Sequence, residues 1–268
     1  MDNIKLICVD LDGTLLNDDK EFTDFSKSVI AKARSQGYKF SFCTGRPTYA
    51  CMELIKSWHA EDIIDYVIGF NGSLVLDYQK NRFYSSDTLD GKVVPKILEL
   101  VKDMNYEAVI CDQYSAHVTK ITNRTKLIAQ RNHLELILDD LSAYYDKQIN
   151  KLLCIIDKEQ LDEFTKNAPS YVTPDFKAVR SNTEYLEFIH PNLSKTNGIR
   201  KVCELLGITL DNVISFGDES NDLEMIRDTV GVAMKNANPL LTEKAQHITE
   251  LDNNHDGVAR FIEAYLLK

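Results

Sequence analysis

The sequence lacks the features that would place it at a membrane or on a nucleic acid. No stretch of about 18 uninterrupted apolar residues occurs, so no transmembrane helix is expected. The opening segment MDNIKLICVD has no basic region and only a short apolar run, which is not typical of a signal peptide. The formal net charge of −10 argues against a nucleic-acid partner and an anionic membrane surface. We therefore expect a cytoplasmic protein with no nucleic acid and no membrane as partner.

Common cofactor and nucleophile motifs are also missing. The sequence has no GxxxxGK[ST] segment to cradle a nucleoside triphosphate and no GxGxxG fingerprint. No serine or cysteine lies in a nucleophile elbow. The six cysteines are scattered without a CxxC pair, which favours reduced thiols over a disulfide framework or a zinc site.

What the sequence does contain is an apolar N-terminal strand that ends in two aspartates, IKLICVDLDGTLL. Residues 4–9 are apolar apart from Lys5, which is typical of a strand buried on both faces of a parallel sheet. Side chains at i and i+2 of an extended chain share a face, so Asp10 and Asp12 start together. Two such charges raise each other's pKa unless a cation or hydrogen-bond donors lie between them. Alternatively, Asp12-Gly13 only turns a hairpin, which would leave Asp10 without a role.

The chain continues with alternating helix and strand patterns, which indicate a parallel sheet. This alternation stops after the hairpin-like segment SLVLDYQKNRFYSS and resumes from Lys195. Between Gly91 and Gly198 there is no glycine, and the patterns there predict helices near 92–104, 123–133 and 158–167 and strands near 107–112, 115–121, 149–156, 176–181 and 185–189. We predict an α/β fold: a Rossmann-like parallel-sheet core with helices on both faces, formed by residues 1–84 and 185–268, with an inserted α+β domain over 85–184.

Polar residues occur in four segments that flank the predicted strands and helices of the core. Three of them follow strands, and ligands of open α/β sheets bind at the carboxyl ends of strands; Lys195 instead precedes a helix. The segments are Asp10 with Asp12, Thr44-Gly45-Arg46, Lys195, and GDESND over residues 217–222. We expect them to converge.

The convergent set is rich in carboxylates and contains no histidine or cysteine ligand. Asp10, Asp12, Asp218 and Asp222 are suited to a hard cation, and Mg²⁺ fits best. The available nucleophile is then a carboxylate, which can form an aspartyl-phosphate. A cation and an ammonium would offset the repulsion between a carboxylate and a phosphate dianion.

These motifs give the chain a family resemblance. DLDGTLL, TGR, a single lysine and GDESND, in this order, resemble the haloacid dehalogenase (HAD) superfamily of phosphohydrolases. An insertion between TGR and the lysine is similar to the C2 cap class, of the C2B type, and FNGSLV, YLEFIHPNLSK, VAMKNANP and DGVARFI resemble the Cof-type subfamily. The resemblance implies Mg²⁺-dependent hydrolysis of a small phosphomonoester, most of all a sugar phosphate, through an aspartyl-phosphate, with the insertion as a lid.

The resemblance also implies a role for each motif residue at the reacting phosphate. Asp10 would be the nucleophile, and Asp12 the acid and base, with its backbone carbonyl on Mg²⁺. Lys195 would neutralise the charge of nucleophile and phosphate. Asp218 would ligate Mg²⁺, and Asp222 would ligate it or support Lys195.

Further residues are implied to bind the substrate. Thr44 and the Gly45 backbone would bind phosphoryl oxygens, and Asn221 would donate to the phosphate. Arg46 and Asn71 lie where the family often meets substrate or cap. Two departures, Thr196-Asn197 before Gly198 and Glu219 beside the metal aspartate, could alter the rim of the site.

Simpler interpretations of single residues, and other functions, stay open at this stage. Thr44 could cap the next helix, Lys195 could be a solvated residue at a helix start, and Asn71-Gly72 could be only a turn. A phosphosugar mutase and a non-catalytic phosphometabolite-binding regulator are the alternative functions. We expect a monomer or weak homo-oligomer, and the identity of the phosphorylated metabolite cannot be derived from the motifs.

Overall fold

A computed structural model describes residues 1, 3–167, 171–181 and 183–267. The chain forms two compact units, one from residues 1–86 with 194–268 and the other from residues 87–193. The second unit is thus inserted into the first. Its C-terminal edge lies after the 184/185 boundary derived from the sequence, because the strand Tyr185–Ile189 pairs on both sides with strands of the second unit.

The strands account for most of the architecture of both units. In chain order they are β1 (Leu6–Val9), β2 (Lys39–Cys43), β3 (Tyr66–Gly69), β4 (Leu74–Asp77), β5 (Arg82–Ser85), β6 (Leu89–Asp90), β7 (Tyr106–Asp112), β8 (Ser115–Val118), β9 (Glu135–Leu138), β10 (Gln148–Ile149), β11 (Leu152–Ile156), β12 (Tyr171–Val172), β13 (Lys177–Arg180), β14 (Tyr185–Ile189), β15 (Val213–Gly217), β16 (Val230–Ala233) and β17 (His247–Ile248).

Helices connect these strands and cover the sheets. In chain order they are α1 (Asp24–Ser35), α2 (Thr48–Ser57), α3 (Val94–Leu100), α4 (Asn123–Arg131), α5 (Lys158–Asn167), α6 (Lys195–Leu206), α7 (Leu223–Asp228), α8 (Pro239–Thr242) and α9 (Gly257–Tyr265). No helix in the described part of the chain is long and apolar enough to cross a membrane.

The first unit contains an eight-stranded sheet in the order β17-β16-β15-β1-β2-β3-β4-β5. Neighbours from β17 to β3 pair in parallel, and β4 and β5 add an antiparallel hairpin at one edge. β1 lies inside the sheet between β15 and β2, so both of its edges are hydrogen-bonded. The predicted Rossmann-like parallel core is therefore confirmed.

Alternation along β1 divides the core of the first unit into two layers. Ile7 and Val9 pack into a cluster that includes residues of α1, α2 and α9. Leu6 and Cys8 pack into a second cluster with residues of α6 and α7. Successive side chains of a strand point to opposite faces, so helices cover both faces of the sheet. Asp10 continues the even-numbered series, which faces α6.

The second unit contains a seven-stranded sheet in the order β12-β13-β14-β11-β7-β8-β9, and a two-stranded ribbon of β6 and β10. Its neighbours pair antiparallel, except that β8 and β9 are parallel. Residues of α3 and α5 belong to one apolar cluster and residues of α4 to another. The sequence patterns do not predict the four-residue strand β9. This strand lies at the edge of the sheet and pairs with a neighbour on one side only.

Candidate active site

Asp10 and Lys195 form the centre of the site. The backbone N–H of Asp10 donates to the carbonyl of Phe216 at 3.0 Å, which holds Asp10 against β15 just beyond β1. Lys195 begins α6, and its Nζ lies 2.5 Å from Oδ1 of Asp10 and 2.6 Å from Oδ1 of Asp222. Lys195 is 1% exposed. A solvated lysine at a helix start, the simpler interpretation, is thus wrong.

Asp222 connects this ammonium to the loop after β15. Its Oδ2 accepts hydrogen bonds from the backbone N–H groups of Asp218 (3.1 Å) and Glu219 (3.2 Å). One carboxylate therefore orients both Lys195 and the backbone of the GDESND segment. Glu219 turns its own carboxylate to the Ser220 N–H and to Asn238.

The third carboxylate is Asp218, which lies against the loop that follows Asp10. The hydroxyl of Thr14 donates to its Oδ1 at 2.8 Å. Gly13 has a φ of +84°, and a Cβ there would lie 2.3 Å from Oδ2 of Asp218. A side chain at position 13 would therefore push Asp218 away, so this close approach requires glycine. The sequence interpretation missed Thr14 as a partner, although it lies within DLDGTLL.

The electrostatics of the three carboxylates favour a divalent cation. One oxygen from each of Asp10, Asp218 and Asp222 lies within 4.8 Å of the others. Burial raises the pKa of Asp10 well above its usual range, despite the charge of Lys195, and Asp222 and Asp218 raise it further. Burial and the charge of Asp222 also raise the pKa of Asp218, to about 6, against the hydrogen bond from Thr14.

This donor set fits the cation implied by the resemblance. Three ionised carboxylates beside one ammonium leave two uncompensated negative charges in a buried site, which is costly. A cation of charge two neutralises them, and all three ligand groups are oxygens, as Mg²⁺ prefers. Asp10, Asp218 and Asp222 are the side chains that would hold it.

Asp12 does not join this cluster, although it lies two residues after Asp10. Nε and Nη2 of Arg46 each lie 2.7 Å from a carboxylate oxygen of Asp12, and Nζ of Lys20 lies 3.0 Å from Oδ1. Burial alone would raise the pKa of Asp12, but the hydrogen bonds and charge of Arg46, with Lys20, lower it to about 2. The mutual repulsion expected from the sequence is thus relieved by separate cations.

Thr44 lies in a loop that is joined to the loop after β3. Its hydroxyl accepts the N–H of Arg46 at 3.2 Å, and its carbonyl accepts the N–H of Asn71 at 3.0 Å. The next helix begins at Thr48 with Pro47 as its N-cap residue. The alternative that Thr44 caps this helix is therefore wrong.

Asn71 and Asn221 contact each other rather than standing apart. Nδ2 of Asn221 donates to Oδ1 of Asn71 at 3.2 Å. Asn71 has a φ of +57°, so a turn is present as the simpler interpretation held, and its side chain also packs on Gly45, where a Cβ would lie 3.1 Å from Oδ1. The loops after β2, β3 and β15 thus meet at one edge of the sheet.

Comparisons with known proteins show what nearly the whole chain is similar to. The family of haloacid dehalogenase-like hydrolases matches the chain over residues 7–262. YxeH of Bacillus subtilis (strain 168), which carries a provisional phosphatase name, is 31% identical over 267 residues, or 98% of each chain.

A second relative and a solved structure span the same length. The 5-amino-6-(5-phospho-D-ribitylamino)uracil phosphatase YcsE of Bacillus subtilis (strain 168) is 30% identical over 266 residues, covering 99% of this chain and 97% of its own. The crystal structure of a haloacid dehalogenase-like hydrolase from Bacteroides thetaiotaomicron has a TM-score of 0.86 at 26% identity, over 97% of this chain and 99% of that one.

Proposed function

Since the chain belongs to the haloacid dehalogenase-like hydrolases as a Cof-type phosphatase, we propose that it hydrolyses small phosphomonoesters with Mg²⁺ through an aspartyl-phosphate on Asp10. The observation that carries the proposal is the environment of Asp10. This carboxylate is 7% exposed, lies 2.5 Å from the Lys195 ammonium, and shares a metal-sized cluster with two further aspartates.

In this proposal Asp10 attacks the phosphorus atom and the bond to the leaving alcohol breaks. Lys195 stays beside both Asp10 and Asp222, so a fixed positive charge already lies where the phosphoryl group arrives. Fixed charges of this kind stabilise the transition state without reorganising during the reaction. Bound Mg²⁺ would add positive charge that draws the phosphate dianion toward the carboxylate.

Asp12 is proposed to take a proton from solvent water and give it to the leaving alcohol. It would later take a proton from the water that attacks the phosphorus atom of the aspartyl-phosphate, and the bond between Asp10 and phosphorus would then break to release phosphate and restore the Asp10 carboxylate. While Arg46 is bound to Asp12, the pKa of about 2 keeps the Asp12 carboxylate ionised at neutral pH. It can carry a proton only after that pair separates. We propose that Arg46 moves to the substrate, which would free Asp12 at the moment that the acid is needed.

Thr44, the Gly45 backbone and Asn221 are proposed to bind the phosphoryl oxygens. The contacts between the Thr44 loop, Asn71 and Asn221 support this assignment, because they fix the donors relative to one another before substrate arrives.

The substrate class is proposed from size and chemistry. Phosphatase relatives act on small phosphorylated metabolites, and the substrate for which YcsE is named bears a phosphorylated ribityl chain. We propose a primary phosphate on a sugar or polyol as the substrate here. The inserted unit, residues 87–193, is proposed to be the cap of this family.

The experiment replaces the nucleophile without changing its shape. Asp10→Asn should abolish Mg²⁺-dependent hydrolysis of p-nitrophenyl phosphate while the circular dichroism spectrum stays that of the wild type. Asp19→Asn, an exposed aspartate in the same segment, is the control and should keep full activity. Near-wild-type turnover in Asp10→Asn would contradict the covalent mechanism.

Product analysis separates the remaining possibilities. Phosphorus NMR of a reaction with a sugar phosphate should give free phosphate. An isomerised sugar phosphate would instead identify a phosphosugar mutase, and stoichiometric binding without release would identify a binding protein.

A further inference from the structure

The loop over residues 13–18, which we name the flap, is bound by the side chains of Asn236, Asn253 and Asn254, and the first two of these donate to its backbone carbonyls. Nδ2 of Asn236 donates to the carbonyl of Gly13 at 2.8 Å. Nδ2 of Asn253 donates to the carbonyl of Leu16 at 3.1 Å. The two asparagines are themselves joined, since the backbone N–H of Asn253 donates to Oδ1 of Asn236 at 3.2 Å. They form one continuous clamp.

The two asparagines of the clamp come from different loops of the first unit. Asn236 lies in the loop after β16 and Asn253 in the loop after β17. Asn253 is 4% exposed, and its Nδ2 also donates to Oδ1 of Asp18 at 3.1 Å. A buried N–H donor without a hydrogen-bond partner destabilises the folded state. The buried amide of Asn253 therefore depends on its bonds to the flap.

The clamp matters for Asp12, because this residue lies outside the strand pairing that fixes Asp10. Asp10 is fixed by its backbone bond to Phe216 in the neighbouring strand. Asp12 lies beyond the sheet, where only an isolated bridge to Leu16 continues the pairing. The carbonyls of Gly13 and Leu16, on either side of the turn that follows Asp12, are the two backbone atoms of the flap that the clamp binds.

We propose that Asn236 and Asn253 are positioning residues that set the place of Asp12 relative to the phosphate. This inference rests on the acid and base role proposed above for Asp12. Neither side chain is assigned a contact with substrate; both act through the backbone of the flap. A displacement of about 1 Å can cost a catalytic group on the order of 10²-fold in rate, so loosening the flap weakens proton transfer while leaving the nucleophile in place.

The test compares two substrates that differ in their need for a proton. p-Nitrophenolate leaves readily as an anion, whereas the more basic phenolate of phenyl phosphate depends more on a proton donor. For each variant we compare kcat/KM for phenyl phosphate with kcat/KM for p-nitrophenyl phosphate. Asn253→Ala and Asn236→Ala should lower this ratio by about 10-fold relative to wild type. Asn253→Asp keeps the shape of the side chain but replaces the donor with a charged acceptor that faces the Leu16 carbonyl and Asp18, and it should lower the ratio in the same direction.

A control variant measures what the loss of such a bond does elsewhere. Nδ2 of Asn212 donates to the carbonyl of Asn3 at 2.9 Å in the same unit, away from the flap. Asn212→Ala should leave the ratio unchanged. Asn236 is exposed, so its variant decides the question even if Asn253→Ala does not fold.

Asp12→Asn distinguishes failure of the clamp from failure of the proposed function. If Asp12→Asn lowers the ratio and both clamp variants leave it at the wild-type value, the clamp is overturned and the role of Asp12 stands. If Asp12→Asn itself leaves the ratio unchanged, the acid role of Asp12 fails. If the clamp only stabilised the fold, the clamp variants would have a lower free energy of unfolding and an unchanged ratio.

Discussion

Arg46 and Asp12 form a two-pronged ion pair in which Nε and Nη2 of the guanidinium each lie 2.7 Å from a different carboxylate oxygen. Such parallel pairs are strong and specific in direction. The pair keeps the proposed acid away from the Asp10 cluster and ionised, with a pKa of about 2. The pKa of Asp10, the proposed nucleophile, is thus raised and that of Asp12, the proposed acid, is lowered, although the two residues are two positions apart.

Removing Arg46 should therefore raise the pKa of Asp12. In Arg46→Ala burial remains and the main opposing cation is gone, so we expect a rise of about 1 to 3 pH units. NMR titration of carbon-labelled aspartate side chains measures it. Arg82→Ala, which removes an arginine stacked over Tyr84 instead, should leave the pKa of Asp12 where it is. An unchanged value in Arg46→Ala would show that the ion pair does not control this carboxylate.

Lys195 should be needed for stability as well as for hydrolysis. Lys195→Met leaves Asp10 and Asp222 buried without their ammonium, and removing one partner of a buried pair costs about 3–5 kcal/mol. Urea denaturation measures this loss in the metal-free protein, and phosphate release measures the activity, which should disappear. Lys201→Met on the same helix, where the lysine pairs with the exposed Glu204, is the control and should change neither strongly. A fully stable, active Lys195→Met protein is incompatible with the site described.

Binding of Mg²⁺ should weaken in acid. Protons compete with a cation for carboxylate ligands, and the pKa of Asp218 is raised to about 6 in the metal-free site. Below that pH the dissociation constant should increase by about 10-fold for each pH unit. Calorimetric titrations at pH 5 and pH 7.5 measure it.

A substitution at Thr14 tests the cause of this pH dependence. Thr14→Val removes the hydrogen bond that lowers the pKa of Asp218. The onset of weak binding should then move to higher pH. Equal affinity for Mg²⁺ at pH 5 and pH 7.5 in the wild type would show that Asp218 is not a ligand of the metal.

Asp65 should stabilise the first unit in a pH-dependent way. It accepts two hydrogen bonds from Arg34, one from Lys39 and one from the N–H of Phe40. Burial would raise its pKa, but Arg34, the Phe40 N–H and Lys39 together lower it. Asp65→Asn should cost about 2–3 kcal/mol at neutral pH, measured by urea denaturation.

The sign of the pH effect follows from the lowered pKa. Because the folded-state pKa lies below the unfolded value of about 3.9, the stabilisation is fully present above that value and is lost as pH falls through the folded pKa. The difference between wild type and Asp65→Asn should therefore shrink below about pH 4. Asp19→Asn should show no such difference, and a constant gap for Asp65→Asn down to pH 2 would contradict the assignment.

The parallel core of the fold and the convergence of the strand-end segments could be predicted from the sequence, because both follow from local patterns. Apolar strands ending in Asp10, Thr44 and Asp218 put those residues at one sheet edge by the geometry of parallel strands. Lys195 needed the order of the motifs as well, since nothing local marks a lysine at a helix start as buried.

Other features depend on long-range contacts that no local pattern contains. The pairing of Arg46 with Asp12 requires two loops to meet after folding, so it is not predicted from the sequence, where the resemblance implies a contact of Arg46 with substrate or cap. Asn236 and Asn253 lie more than 200 residues after the flap that they bind. The sequence boundary at 184/185 places β14 in the core, whereas β14 pairs with β11 and β13 of the second unit, and these partners cannot be derived from the local pattern.

Transfer of the phosphoryl group to Asp10 is the central step of the proposed reaction. The direct measurement is rapid acid quenching of the enzyme during turnover of a ³²P-labelled phosphomonoester, followed by borohydride reduction and peptide mass spectrometry. We expect protein-bound phosphate that reaches a steady level while substrate lasts, and conversion of Asp10, and of no other aspartate, to homoserine by the reduction. Steady phosphate release with no labelled protein, or the label on another residue, would contradict it.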